Sequence, residues 1–431
     1  MARKMVESGQ RWLGQIPDSW EQIRGKYVMF PLSRPIKDND GVITCFRDGE
    51  VTLRSNRRED GFTLSLKEIG YQGINVGDLV VHGMDGFAGS IGISDSRGKA
   101  SPVLIVLDAP NSDKKYLMYF LRTMAYLNVF TAYSTGIRVR SCDLSWKKLS
   151  EFYYAVPPLP EQQKIAAFLD DKCAEFDSLI ADIQREIEKL ERLKRSVIAE
   201  AVTKGLDKNA EMKDSGVKWI GEIPKDWNIM AFRFILNERN EKNIPIKTEE
   251  RLSLSIDIGI TLYADKTTNL DRFKEDVSQY KVAHIGDLVL NSMNVIVGAE
   301  GISNYFGCIS PAYYTYYDND ENHYDARFCD YVFKCKRLRN LLFTLGKGIM
   351  AIERGEGRVN TCRLKVSRDD IGHLKFPFPS KEERIRIVDY LDARCAEFDT
   401  ILSEKQKQIE ILQKLKKSVI YEYVTGKKEV K

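Results

Sequence analysis

Trp12-Leu13-Gly14-Gln15-Ile16-Pro17-Asp18-Ser19-Trp20 returns, at an offset of 207, as Trp219-Ile220-Gly221-Glu222-Ile223-Pro224-Lys225-Asp226-Trp227. Cys173-Ala174-Glu175-Phe176-Asp177 returns unchanged, at an offset of 222, as Cys395-Ala396-Glu397-Phe398-Asp399. A unit about 200 residues long, present twice, is too large for a solenoid repeat and reads as a duplicated domain pair. Such a chain is pseudo-symmetric and suits a ligand or partner set of two-fold character.

Each copy has a mixed, strand-rich part followed by a helical part. In the first, Asn75-Val76-Gly77-Asp78-Leu79-Val80-Val81-His82 reads as a turn feeding a strand, and Pro102-Val103-Leu104-Ile105-Val106-Leu107 as a buried strand. The second answers at an offset of 209 with Gly286-Asp287-Leu288-Val289-Leu290 and Ser310-Pro311-Ala312-Tyr313-Tyr314. Residues 116–130 and 328–343 are apolar at helical spacing and are predicted to pack on the sheets.

After Pro157-Pro158-Leu159-Pro160 the pattern changes. Leu169, Cys173, Phe176, Ile180, Ile183, Ile187, Leu190, Lys194, Val197 and Ala201 step by alternating four and three residues. The partner series is Leu391, Cys395, Phe398, Leu402, Lys405, Ile409, Leu412, Lys416, Val419 and Tyr423. Prolines suit the first turn of a helix, and Gly205 suits its end. The spacing predicts two helices of roughly 40 residues, about 60 Å each, with one apolar seam apiece. The seam partner is the other helix of the same chain or a helix of a second chain. Lys405 stands where Ile183 stands, so the two seams do not match perfectly. The expected organisation is α+β: globular parts at 1–157 and 206–378, helical parts at 158–205 and 379–431.

The entry Pro158-Leu159-Pro160-Glu161-Gln162-Gln163-Lys164-Ile165-Ala166-Ala167-Phe168-Leu169-Asp170, the exit Ala199-Glu200-Ala201-Val202-Thr203-Lys204-Gly205 and the Trp-Ile-Gly-Glu-Ile-Pro-x-x-Trp element of each copy resemble the specificity subunit of type I restriction–modification enzymes. The resemblance covers essentially the whole chain. It implies two target recognition domains, each reading half of a bipartite double-stranded DNA site. It also implies that the two helices form an antiparallel coiled coil, a spacer on which methyltransferase subunits, two of them, dock. The restriction and translocase subunits of the same complex would be further partners. The second helix departs from the pattern, beginning Pro379-Ser380-Lys381-Glu382-Glu383-Arg384 and ending Val424-Thr425-Gly426-Lys427.

Enzyme signatures are sparse. No Asn/Asp-Pro-Pro-aromatic element, dinucleotide fingerprint or Gly-Lys-Ser/Thr loop occurs. Gly83, Gly86, Gly89 and Gly92 read as a tight turn between strands in preference to a phosphate cradle. Asp207, Glu211 and Lys213 imitate a metal-dependent nuclease triad but fall in a polar link with no expected strand and no first-copy counterpart. Eight cysteines lack zinc spacing and only four histidines are present, so no metal and no cofactor are expected. The net charge of +4 is not gathered into a basic arm, so a nucleic-acid surface has to be made by folding. With no signal-peptide core and no run of transmembrane length, a soluble protein of the prokaryotic cytoplasm is expected, with no membrane partner.

Three stretches are candidates for DNA contact. Arg54, Asn56, Arg57 and Arg58 crowd one segment; Arg is the usual bidentate reader of guanine and Asn of adenine, and both also hold phosphate. A solvated charged loop closed by Glu59 and Asp60 is the alternative. Arg138 and Arg140 align with Arg354, Arg358, Asn360 and Arg363 through Arg-Val-x-Ser/Thr-Cys, basic in both copies. His82, Asn291 and Asn294, after matching strands, form a third edge. Lys334, Lys336, Arg337 and Arg339 crowd one helix and face either a DNA backbone or solvent. The reading is a DNA-binding subunit without catalysis; a protein-binding scaffold and a self-sufficient nuclease are its rivals.

Overall fold

The computed structural model describes residues 3–57, 69–133, 144–256, 258–266, 276–349 and 363–430. Arg58, Arg138, Arg140, Arg354, Arg358 and Asn360 lie outside the described residues. The chain divides into two compact units, one built from Met1–Gln184 with Gln406–Lys431, the other from Arg185–Arg354 with Val359–Lys405. The two long helices, Leu159–Lys204 of 46 residues and Lys381–Val424 of 44, each give one half to either unit.

The first unit centres on a four-stranded antiparallel sheet in the order Phe30–Pro31, Leu104–Asp108, Leu79–His82, Ile91–Ile93. The second repeats it as Asn237–Glu238, Tyr313–Tyr317, Leu288–Asn291, Glu300–Ile302. In each, a helix buries its apolar stripe in the core. Leu117, Phe120, Leu121 and Met124 do so from Lys114–Tyr126, and Phe328, Val332 and Phe333 from Tyr324–Phe333. The helix expected over 328–343 is broken into Tyr324–Phe333 and Lys336–Leu345. Arg339 of the second piece donates Nε to the open Phe333 carbonyl at 3.3 Å, satisfying a helix end that would otherwise be bare.

The repeated motifs recur because their residues repeat a job. Trp20 donates its indole N–H to Glu161 at 3.2 Å, and Trp227 donates to Glu383 at 2.8 Å, so each closing Trp fastens the start of the helix that follows its own domain. Gln162 and Arg384 stand at one position despite the altered second entry. Gln162 bridges the Asp113 N–H and the Pro157 carbonyl, while Arg384 bridges Asp325 and the Pro379 carbonyl. The repeated Gly-Asp places Asp78 and Asp287 under the sheet edge. Each accepts an N–H from three residues upstream and an arginine, Arg34 or Arg239. Gly77 and Gly286 stand at φ +84° and +86°, which a side chain would strain.

The long helices run antiparallel in both units. In the first, Lys416 reaches Asp177 at 2.6 Å and Phe168 packs on Tyr423 with centroids 4.4 Å apart. In the second, Lys194 reaches Asp399 at 2.6 Å and Lys405 reaches Glu186 at 2.6 Å. The mismatched Lys405 therefore finds an acid across the seam. Of the expected pairing residues, Leu169, Ile187, Leu391, Phe398 and Ile409 are buried, and Phe176, Ile180, Leu190, Val197, Leu402, Leu412 and Val419 are half-buried. The cross-helix ion pairs are exposed and screened, so Lys416→Ala is expected to cost no more than about 1 kcal/mol and to cost less in high salt. A loss in urea unfolding several times larger and indifferent to salt would assign Lys416 a packing role. Among the described residues no helix is long and apolar enough to cross a membrane.

Candidate nucleic-acid interface

In the first unit the hairpin of Ile43–Cys45 and Val51–Leu53 is followed directly by a single helical turn, Arg54–Arg57. Hairpin and turn form one wall of a cleft of about 560 Å³, and His82 and Asp85, at the end of Leu79–His82, form the other. Arg54, Arg57 and His82 thus come together, joined by Arg47, which the sequence reading did not single out. Their states differ. Arg57 donates to Asp48 at 2.6 Å and Glu50 at 3.0 Å and lies 4.2 Å over the Phe46 ring, which neutralises and fixes it. Asn56 donates to Thr52 at 2.9 Å. Burial pushes the Arg54 guanidinium below its usual range. Arg47, with its side chain 69% exposed, meets Asp85 at 2.9 Å.

His82 closes its strand in a defined tautomer. Its Nδ1 accepts the backbone N–H groups of Met84 at 3.2 Å and Asp85 at 3.0 Å, so the ring proton sits on Nε2. Burial, opposed by Asp85 and aided by Arg47, lowers its pKa and keeps the ring neutral at pH 7. Leu144, the first described residue after 134–143, donates its N–H to the Gly83 carbonyl at 2.8 Å, next to His82 in the chain.

The second unit repeats this edge. Asn291 ends Leu288–Asn291, and its Oδ1 accepts the Met293 N–H at 3.1 Å. Val366 donates to the Ser292 carbonyl at 3.0 Å, as Leu144 does to Gly83. Asn294 precedes the short turn Val295–Val297, as Asp85 precedes Gly86–Ala88. That glycine-rich stretch is a turn between adjacent strands, with Gly89 at φ +98°. Around the edge the residue types diverge: at the 209 offset Arg47 and Arg54 become Ile256 and Tyr263. Arg363 opens the strand Arg363–Lys365.

Arg339 and Lys334 are both engaged by acids of the second unit. Arg339 pairs with buried Glu300 at 2.6 Å, and Lys334 with buried Asp330 at 2.5 Å, on the wall of a separate cleft of about 860 Å³. The expectation that no strand carries Glu211 and Lys213 is corrected for Lys213 alone: Met212–Asp214 is a strand paired with Glu222–Pro224, because the link folds back on the repeated Ile-Pro, and Glu211 lies just before it. Glu211 is paired with Lys225 at 2.9 Å, and among the described residues no group of three or more His, Cys, Asp or Glu could hold a metal ion.

Residues 63–189 match the family model of the type I restriction modification DNA specificity domain. The chain is 25% identical to the type I restriction enzyme MjaVIII specificity subunit of Methanocaldococcus jannaschii, over 97% of this chain and 95% of that protein. A second protein of that organism, named for a type I restriction enzyme MjaX specificity subunit, is 24% identical over 97% and 96%. The fold is shared with a chain solved in work on complex assembly and conformational transition of the type I R-M system. That likeness has a TM-score of 0.64 at 15% identity and covers 95% of this chain and 98% of that one. Along nearly its whole length the chain is thus similar to type I restriction enzyme specificity subunits.

Proposed function

We propose that each globular part, 1–157 and 206–378, reads one half of a bipartite double-stranded DNA site, and that the helical parts set the unread spacer. The chain contributes recognition and no catalysis. Methyltransferase subunits, two of them, dock on the helices, with restriction and translocase subunits in the same cytoplasmic complex. The observation that carries the reading is the repeated strand end: His82 and Asn291 occupy one position in one fold, with different neighbours. A constant frame with variable polar edges is what two domains reading different sequences require. The arginines near the first of these edges, Arg54 and Arg47, suit phosphate and guanine, and so by residue type do Arg138 and Arg140 of the same domain.

The test is to co-express the chain with its methyltransferase subunit and map methylation at single-base resolution. A bipartite motif with an unread gap is expected. Replacing Arg138 and Arg140 by Ala should impair one half-site and leave the other intact; equal loss at both would sink their assignment. Methylation indifferent to the chain would favour a protein-binding scaffold.

A further inference from the structure

We infer that the end of the first long helix carries an open site for an aromatic side chain of a docked methyltransferase subunit, that Tyr423 already fills the equivalent site of the first unit, and that the two methyltransferase copies therefore bind unequally. This rests on the proposed docking of two methyltransferase subunits and adds an order to it.

The two long helices end on one motif with two changes. Ile198-Ala199-Glu200-Ala201-Val202 returns, at the offset of 222, as Ile420-Tyr421-Glu422-Tyr423-Val424. Ile198 and Val202, like Ile420 and Val424, are buried in the core of their own unit, so each helix end meets its domain in the same way. The difference falls on the alternate positions, where two tyrosines stand against two alanines. In the first unit Tyr423 stacks on Phe168 with centroids 4.4 Å apart, and the Lys427 ammonium lies 4.6 Å over the Tyr421 ring. At the same offset Phe168 is matched by Tyr390, and Tyr423 by Ala201. Tyr390 thus keeps its ring and loses the ring opposite. It is 39% exposed, whereas Phe168 is half-buried.

Ala201 and Tyr390 both line a cleft of about 530 Å³ in the second unit, and Leu206 and Met212 from the following link add to its apolar lining. The first unit shows what such a place takes, because there the chain itself supplies a tyrosine. Aromatic pairs gain from offset or edge contact beyond the area they bury, and an aromatic side chain in a pocket is a common interface anchor. Glu200, Asp207 and Glu222 outnumber Lys204 and Lys208 on the same cleft, which favours a basic residue beside the incoming ring. A partner present in two identical copies offers the same aromatic side chain to each half of the helix pair. In the second unit it enters the cleft; in the first, Tyr423 holds the place. Identical copies then meet unlike surfaces, and their affinities separate.

The experiment titrates the full chain with its purified methyltransferase subunit and follows the species by sedimentation velocity. Wild type is expected to fill in two steps, the first roughly tenfold tighter than the second after the statistical ratio for two like sites is removed. Ala201→Tyr closes the site as Tyr423 closes its own, and should weaken the first step roughly tenfold and bring the two together. The urea midpoint of that variant checks that it folds. Tyr390→Ala, at an exposed position, removes the ring without filling the cleft; it should weaken the first step roughly fivefold and leave the second unchanged. If Ala201→Tyr does not fold, Tyr390→Ala decides. Two equal steps in wild type, or a tight first step that no folded variant moves, would overturn the inference while two-copy docking stands. No complex at any ratio would remove the docking itself, and the inference with it.

Discussion

Arg339→Ala is expected to destabilise the second unit by about 3–5 kcal/mol at pH 8, as removal of one partner from a buried ion pair does, and by clearly less at pH 5. Glu300 is 4% exposed; its Oε1 takes Arg339 at 2.6 Å and its Oε2 has no partner. Burial raises its pKa from 4.5 to about 7 against the pull of Arg339, with Asp330 adding to the rise and Lys334 opposing it. The folded state therefore holds this proton longer than the unfolded chain. The group's stability is complete below about pH 4.5, declines as pH rises to about 7, and is level above. Without Arg339 the carboxyl must stay protonated to still higher pH, so the loss concentrates on the alkaline side. Urea midpoints at pH 5 and pH 8 measure it; equal losses at both would mean that Arg339 acts through packing alone. The first unit has Ile91 where the second has Glu300. Glu300→Ile combined with Arg339→Ala should accordingly recover most of the loss, since an apolar pair replaces an orphaned charge.

That charged pair also shows what the sequence conceals. Arg339 sits in a run of four basic residues on a helix and reads as surface charge, because its partner is 39 residues away on a strand. Arg57 likewise reads as a base contact, yet the hairpin turns Asp48 and Glu50 back onto it. Charge neutralisation depends on which elements meet, and hydropathy does not encode that. The seam was legible for the opposite reason. A coiled pair must repeat its apolar residues every three and four positions, so the helices and their ends could be read from spacing. The repeated Trp and Gly-Asp were legible as a duplication, while their work in fastening helix starts and sheet edges, and the equivalence of Glu161 with Glu383 behind the altered second entry, needed the hydrogen bonds. Of the candidate interface, the strand-end position was visible in the alignment of His82 with Asn291. Its hydrogen bonding was not, since only the structure shows Asn291 Oδ1 accepting the Met293 N–H and His82 Nδ1 those of Met84 and Asp85.

Trp227→Ala is expected to cost about 3–5 kcal/mol, the range for deleting a large aromatic from a core. Trp227 is fully buried in the cluster that also holds Ala201, Val202 and Ile387 from the two long helices. Its removal opens a cavity where the domain grips both of them. Trp20→Ala should cost nearly as much in the first unit, where Trp20 is 5% exposed in the cluster holding Ala166, Leu169 and Val424. The Phe variants separate the two sites. Trp227→Phe keeps most of the apolar area but strips Glu383 of its indole donor, costing about 1 kcal/mol or somewhat more through the partly buried carboxylate. Trp20→Phe leaves Glu161 its ion pair with Arg3, whose guanidinium also lies 5.5 Å over the Trp20 ring, so the acid is not abandoned. The expected order in urea unfolding is Trp227→Ala near Trp20→Ala, both far above Trp227→Phe, with Trp20→Phe the mildest. A Phe variant as damaging as its Ala counterpart would mean that the hydrogen bond to the helix start, not the buried ring, holds the domain to its helix.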